Sequence, residues 1–285
     1  MGKGTKAMVD FEIKERYDLD DFRRIMEVLR APGGCPWDAA QTHESIRRNV
    51  IEEAYELAQA IDKKDGENLK EELGDLLMQV IFHARMEEET GGFDLDDVAD
   101  TAVKKLVFRH PHVFGENKAS DAGEALDRWE AVKRIEKGQD TVATAMDGVA
   151  ETLPALWRAE KVQKKAAKVG FDWPEVSGAI DKLREETEEL CAAIDRGDAD
   201  NMEEELGDVL FSAVNAARFL KVDPEQALHR ACGKFIRRFK ALEQAASARG
   251  RELSEMTLEE MEALYQHCAK RAGEEEFSSN GSENA

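Results

Sequence analysis

The carboxylates of this chain fall into a pattern that could hold a divalent cation. Glu52, Glu53 and Glu56 stand together, fifteen residues intervene, and Glu72 and Asp75 follow. Hard cations such as Mg2+ take oxygen ligands, and carboxylates on facing helices of a bundle are one way to supply them. A cation held in this way can in turn hold phosphates. The pattern occurs twice, because Glu185, Glu186 and Glu189 are followed at the same spacing by Glu205 and Asp208.

The repetition extends beyond the acids. Residues 71–86 (EELGDLLMQVIFHARM) and 204–219 (EELGDVLFSAVNAARF) match at eight of sixteen positions, and a single offset of 133 residues aligns both acidic clusters without a gap. A register kept across two elements and their connection marks a duplication. A duplicated hairpin with no chemistry would share this feature.

The elements that must position these acids are legible in the apolar spacing. Ile51, Ala54, Leu57, Ala58 and Ile61 recur at helical intervals, as do Leu69, Leu73, Leu76, Leu77, Val80 and Ala84, with a turn signal at Lys64-Asp65-Gly66 between them. At ~1.5 Å of rise per residue, Glu56 and Glu72 each lie roughly 8 Å from the turn, so the ExxE and ExxD pairs stand level on a tight helical hairpin. The second copy repeats this around Asp195-Arg196-Gly197-Asp198, with Leu206, Leu210, Ala213 and Ala217 as its apolar face. An acidic doublet on a helix ordinarily marks a solvated face, and in the first helix the acidic arc points away from the apolar stripe. Like charges stacked within one hairpin nevertheless cost stability unless a cation neutralises them, and here the cost is incurred twice.

Composition bounds the rest. A chain of 285 residues has room for two domains, each with its own core, and 42% hydrophobic with 35% charged residues and only 6 prolines suits an all-α protein. A net charge of −21 repels polymeric nucleic acid and anionic membrane, leaving a small phosphate ester bridged by cations as the compatible ligand. Cys35, Cys191, Cys232 and Cys268 show no CxxC spacing, no leader is evident, and no apolar run approaches the ~20 residues that span a bilayer, so a soluble cytoplasmic protein is expected. P-loop, GxGxxG and nucleophile-elbow motifs are missing. His110 and His112 lack a third ligand at zinc spacing and are read as structural.

The acidic signature EExxE, fifteen residues, then ExxD resembles that of the MazG nucleotide pyrophosphohydrolases. So do GGCPWDAAQTHESI (33–46), RHPHVF (109–114), LPALWRAEKVQKKAAKVGFDW (153–173) and KFIRRF (234–239), and the resemblance is to the two-domain members. It implies two tandem MazG-like helical domains from an internal duplication, at 16–115 and 151–272, with helical bundles completed by dimerisation. Between them, 116–150 is expected to be a linker with a bridging helix carrying Trp129, while residues 1 to about 15 and 273–285 are expected to be poorly ordered.

The resemblance also implies an activity: Mg2+-dependent hydrolysis of nucleoside triphosphates, ATP among them, to the monophosphate and pyrophosphate, with Mn2+ as a substitute metal and broad base tolerance. Carried over residue by residue, the metal ligands fall on Glu53, Glu56, Glu72 and Asp75 in the first copy and on Glu186, Glu189, Glu205 and Asp208 in the second. Glu185, or Glu52 in the first copy, is expected to orient or deprotonate the attacking water. Phosphate-binding basic residues fall on Lys182, Lys234 and Arg238, with Lys105 and Arg109 as first-copy counterparts of the last two. Lys234 and Arg238, four apart, share one helix face, a placement that equally suits ion pairs on an acidic surface.

Two positions depart from the family pattern: Asn201 replaces a lysine found in some relatives, and Tyr265 replaces a late tryptophan. Tyr265 still offers a ring for stacking on a base, and Trp37 and Trp173, in the corresponding CPWD and FDWP segments, suit either base stacking or loop anchoring. By resemblance the C-terminal half is the catalytic unit and the N-terminal half auxiliary. Two further readings stay open at this level: a non-catalytic helical scaffold that binds nucleotide or a partner, and an all-α pyrophosphohydrolase specific for dUTP or phosphoribosyl-ATP.

Overall fold

Few prolines and apolar positions spaced at helical intervals favour helix over strand. The computed structural model describes residues 11–115 and 118–280, with side chains described to residue 269, and among these residues it is helical with no strand. The chain divides into two compact units, Met1–Lys133 and Arg134–Ala285.

In the first unit α1 (Leu19–Arg30) and a short α2 (Pro36–Ala39) precede the hairpin of α3 (His43–Lys63) and α4 (Gly66–Thr90), and α5 (Leu95–Arg109) and α6 (Pro111–Phe114) follow. The division into units falls inside α7 (Ala122–Glu136), the bridging helix. The second unit holds α8 (Val142–Asp147), α9 (Ala155–Ala167), the hairpin of α10 (Val176–Arg196) and α11 (Ala199–Phe219), then α12 (Pro224–Ser247) and α13 (Leu258–Asn280). α7 and α8 thus occupy the stretch expected to link the domains. The tail, expected to lose order from residue 273, continues α13 as far as Asn280, since its Glu-rich run contains no proline to break the register. Residues 1–10 and 281–285 lie outside the described residues.

Side-chain caps set where the helices begin. Asp18 and Asp21 satisfy each other's backbone N–H groups ahead of α1, and Thr42 and Ser45 do the same ahead of α3. The two hairpins agree at the level of single groups: α3 and α10 both run 21 residues, and Asp65 and Asp198 accept from the backbone N–H of Asn68 and Asn201 at 3.1 and 3.3 Å. Both first helices end in the left-handed region, at Lys64 (φ +55°) and at its counterpart Gly197 (φ +68°). Only the glycine occupies that region without a Cβ penalty.

The N-terminal core joins Met26 of α1 and Ile46 of α3 to Ile81, Phe82 and Met86 of α4. In the C-terminal unit Leu242 and Ala246 of α12 pack on Leu264 of α13, while α9 lies against α11 and α12. The apolar stripes are covered only in part: Ala84 is buried and Leu69 and Leu76 are half-buried, but Leu73 is 51% exposed and Leu210 50%, and Leu77, Val80 and Leu206 are open as well. Within the first unit α4 is flanked by α3, α1 and α5, which leave Leu73, Leu77 and Val80 exposed among the described residues. The core is instead made one step round the helix, through Ile81, Phe82 and Met86.

Replacing Lys64 by glycine should therefore stabilise the N-terminal unit by about 1 kcal/mol, the order of the left-handed penalty for a residue with a Cβ. Urea unfolding followed by circular dichroism measures this, and an unchanged or lower midpoint would contradict it.

Candidate metal and phosphate site

The antiparallel run of α3 and α4 brings Glu53, Glu56 and Glu72 together, so that one carboxylate oxygen from each lies within 4.8 Å of the others. Asp75 stands one turn beyond Glu72 on α4, close enough to act on Glu53. Burial, followed by the charges of Asp75, Glu56 and Glu72, pushes the Glu53 carboxyl above its usual range. Glu72 is raised in the same way, by burial and then by Glu56 and Asp75, with a hydrogen bond from Asn68 opposing the shift. Glu52 lies outside the cluster, exposed and paired with Arg48 at 2.7 Å.

In the second copy Glu186, Glu205 and Asp208 meet under the same 4.8 Å limit, and Glu186 is only 5% exposed. A buried carboxylate requires a compensating charge. Lys182, one turn earlier on α10, provides it, with Nζ at 2.7 Å from Glu186 Oε1 and 2.9 Å from Glu185 Oε1, and the two glutamates raise the lysine's pKa. Glu189 joins the cluster through a hydrogen bond with Glu186, which raises its pKa along with burial and the charge of Glu205. In the first copy the register places Asn49 where Lys182 stands, so that cluster has no lysine at this point.

Asn201, regarded from sequence as the loss of a family lysine, has a role of its own: its Nδ2 donates to Glu205 Oε1 at 3.1 Å. Asn68 occupies the same register and acts on Glu72. The signal for this pair was in the sequence, an asparagine four residues before the ExxD motif in both copies.

The remaining predicted residues divide. Lys234 and Arg238 stand one turn apart on α12 and Lys105 is exposed on α5; none of the three forms an ion pair among the described residues, and no hydrogen bond joins them to the carboxylates. Arg109 is 8% exposed with its guanidinium 5.4 Å from the Trp129 ring centroid, so the bridging helix covers a residue expected to meet phosphate. Tyr265, half-buried, packs against the α12–α13 core with its ring 6.1 Å from that of the exposed Phe235. Trp37 is open to solvent, and Trp173 is half-open and lies so close to Gly178 that a Cβ there would come within 2.8 Å of the ring. His110 Nδ1 sits 2.6 Å from the Leu106 carbonyl, consistent with its structural reading.

Donor sets made only of carboxylate oxygens suit Mg2+ or Mn2+ rather than a thiophilic metal. Such a cation can hold a polyphosphate against the hairpin.

Comparison with known proteins agrees with this chemistry. The family model for the MazG nucleotide pyrophosphohydrolase domain matches twice, at residues 41–114 and 176–242, and so encloses both carboxylate sets together with Lys234 and Arg238. The chain is 44% identical over 248 residues to the "Nucleoside triphosphate pyrophosphohydrolase/pyrophosphatase MazG" of Thermotoga maritima, covering 87% of this chain and 94% of that protein. It is 43% identical over 259 residues to the "Nucleoside triphosphate pyrophosphohydrolase" of Escherichia coli, covering 89% and 97%. A protein of the same name from Mycobacterium tuberculosis aligns over 155 residues at 44% identity, which is 54% of this chain.

The raised carboxyls carry a pH dependence with a definite sign. Below the ordinary glutamate value of 4.5 they are neutral and undisturbed in both the folded and the unfolded chain; as pH rises through their folded values the folded chain must ionise them against one another, and it loses stability. Glu53→Gln should therefore raise the thermal midpoint of the metal-free protein at neutral pH, converge with the wild type in mild acid, and reduce the rise that added Mg2+ produces. Differential scanning calorimetry reads all three, and a variant less stable than wild type at neutral pH would refute the account.

Proposed function

The chain belongs to the MazG nucleotide pyrophosphohydrolase family, from which we infer that it hydrolyses nucleoside triphosphates to the monophosphate and pyrophosphate. The observation that carries this reading is the convergence of carboxylates from two helices of each hairpin, repeated at one offset. Turnover is assigned to the C-terminal copy, and the buried Glu186 with its attendant Lys182 and Asn201 supports that assignment. The N-terminal set of Glu53, Glu56, Glu72 and Asp75 is then auxiliary.

Glu186, Glu189, Glu205 and Asp208 would hold Mg2+, or Mn2+ in its place, which supplies charge neutralisation for the polyphosphate and a lowered pKa for bound water. The chain's own residues do the remainder. Glu185, exposed on α10 beside the set, orients and deprotonates the attacking water. Lys182 is balanced between Glu185 and Glu186 and can transfer its N–H groups to a phosphate oxygen when the carboxylates are otherwise neutralised. Lys234 and Arg238, one turn apart on α12 and in no ion pair among the described residues, stabilise the departing pyrophosphate. Because these groups address the triphosphate, which every nucleotide substrate shares, broad base tolerance follows.

The open stripes of Leu73, Leu77 and Val80 and of Leu206 and Leu210 support a homodimer that covers them. No helix among the described residues is long and apolar enough to cross a membrane. Upkeep of the cytoplasmic nucleotide pool is the role that fits this reading.

Incubating the protein with Mg2+ and each common ribo- and deoxyribonucleoside triphosphate should yield monophosphate and pyrophosphate, resolved by ion-exchange chromatography. Diphosphate and inorganic phosphate as products would overturn the reaction class, and no turnover would favour a nucleotide-binding scaffold. Glu189→Gln should lower kcat by at least ~100-fold, while its counterpart Glu56→Gln should leave kcat near wild type; the reverse pattern would move catalysis to the N-terminal copy.

A further inference from the structure

The C-terminal unit contains a cavity of about 450 Å³ between α9, α11 and the loop that carries Phe171 and Trp173. This volume falls within the ~300–1,000 Å³ usual for small-molecule sites. The duplication explains its origin. At the 133-residue offset the core residues Phe82 and Ile46 of the N-terminal unit become Asn215 and Ala179. Phe82, 6% exposed, fills the space between α4 and α1, whereas Asn215 leaves the corresponding space between α11 and α9 open.

The cavity is apolar on its walls and polar at specific points. Phe171, Trp173 and Phe211 present three aromatic rings. Gln163, 6% exposed, donates from Nε2 to the Phe211 carbonyl at 2.8 Å. A carbonyl can only accept, so the amide orientation is settled and Oε1 is left as a buried acceptor with no donor. Asn215 Oδ1 accepts from Arg218 Nη2 at 2.7 Å, which likewise leaves its Nδ2 to donate elsewhere. Arg218 brings no net charge, because its guanidinium is paired with Asp172, and the arginine holds that carboxyl below its usual range.

We propose that this cavity binds a planar nitrogen heterocycle of the nucleobase class, held between the aromatic rings with its donor–acceptor edge against Gln163 and Asn215. Aromatic rings stack on any base face, and an acceptor beside a donor complements the alternating edge of a base. The neutralised Arg218 argues against a phosphate in the cavity itself. The heterocycle is either the base of a triphosphate whose phosphates lie at the carboxylates or a free nucleoside. Binding does not depend on the catalytic reading, since it requires neither metal nor turnover.

Isothermal titration calorimetry of the full chain with adenosine and with uridine, without metal, tests the proposal. Binding is expected in wild type and at least tenfold weaker in Asn215→Phe, which copies the filled N-terminal core, and in Gln163→Leu, which keeps the volume and removes the acceptor. Circular dichroism confirms that each variant is folded. Absence of nucleoside binding in wild type, or binding unchanged in both folded variants, overturns the proposal. An α,β-methylene triphosphate with Mg2+ then separates the sources: displacement of the nucleoside identifies the substrate's own base, and simultaneous binding identifies a free nucleoside. Because nucleoside binding is read without turnover, failure of the catalytic assignment would leave this result intact.

Discussion

Repulsion between carboxylates governs this molecule. Each hairpin presses acids from two helices into one small volume; burial raises the pKa of Glu53 and Glu72, and a hydrogen bond with Glu186 raises that of Glu189. A fold optimised for stability alone would separate such groups or replace them with apolar ones. Their retention in both copies makes sense if a cation and a polyphosphate complete the charge balance, and the basic residues are distributed accordingly. Lys182 is committed to the carboxylates, whereas Lys234 and Arg238 form no ion pair among the described residues of a chain whose net charge is −21.

Duplication lets the chain act as its own control, because α3 and α10 share their bounds at the 133-residue offset, α4 and α11 share their start, and differences at equivalent positions can be given physical meaning. Where the C-terminal copy compensates its buried glutamate with Lys182, the N-terminal copy has Asn49 and leaves its trio more weakly balanced. Where the N-terminal copy fills its core with Phe82, the C-terminal copy has Asn215 and a cavity. The turn glycine Gly197 is matched by a strained Lys64.

The exposed apolar stripes belong to the same logic. A helix in a two-helix hairpin has more sides than its partner can cover, and here α1 and α5 cover further parts of α4, as α9 and α12 do of α11. Leu73, Leu77 and Val80, and Leu206 and Leu210, are left in the open, on sides of α4 and α11 where periodicity alone anticipated a core.

Much of this was legible in the sequence, because it rests on spacing. Helical periodicity, the turn residues and the constant offset determined an all-α chain with two equivalent hairpins, and the ExxE and ExxD intervals determined that Glu53, Glu56 and Glu72, and Glu186, Glu205 and Asp208, would share a level. Tertiary structure alone decided what surrounds those groups. Periodicity shows that a helix has an apolar side but not whether a neighbour comes to cover it, which is why the Leu73 stripe proved open and Arg109 proved covered by Trp129. It also cannot show whether a cation is available or already paired: Lys182 and Lys234 looked alike until Glu186 was seen buried against the first. Spacing along one helix is a local property carried by the backbone, whereas burial, pairing and cavities depend on side chains brought together from distant parts of the chain.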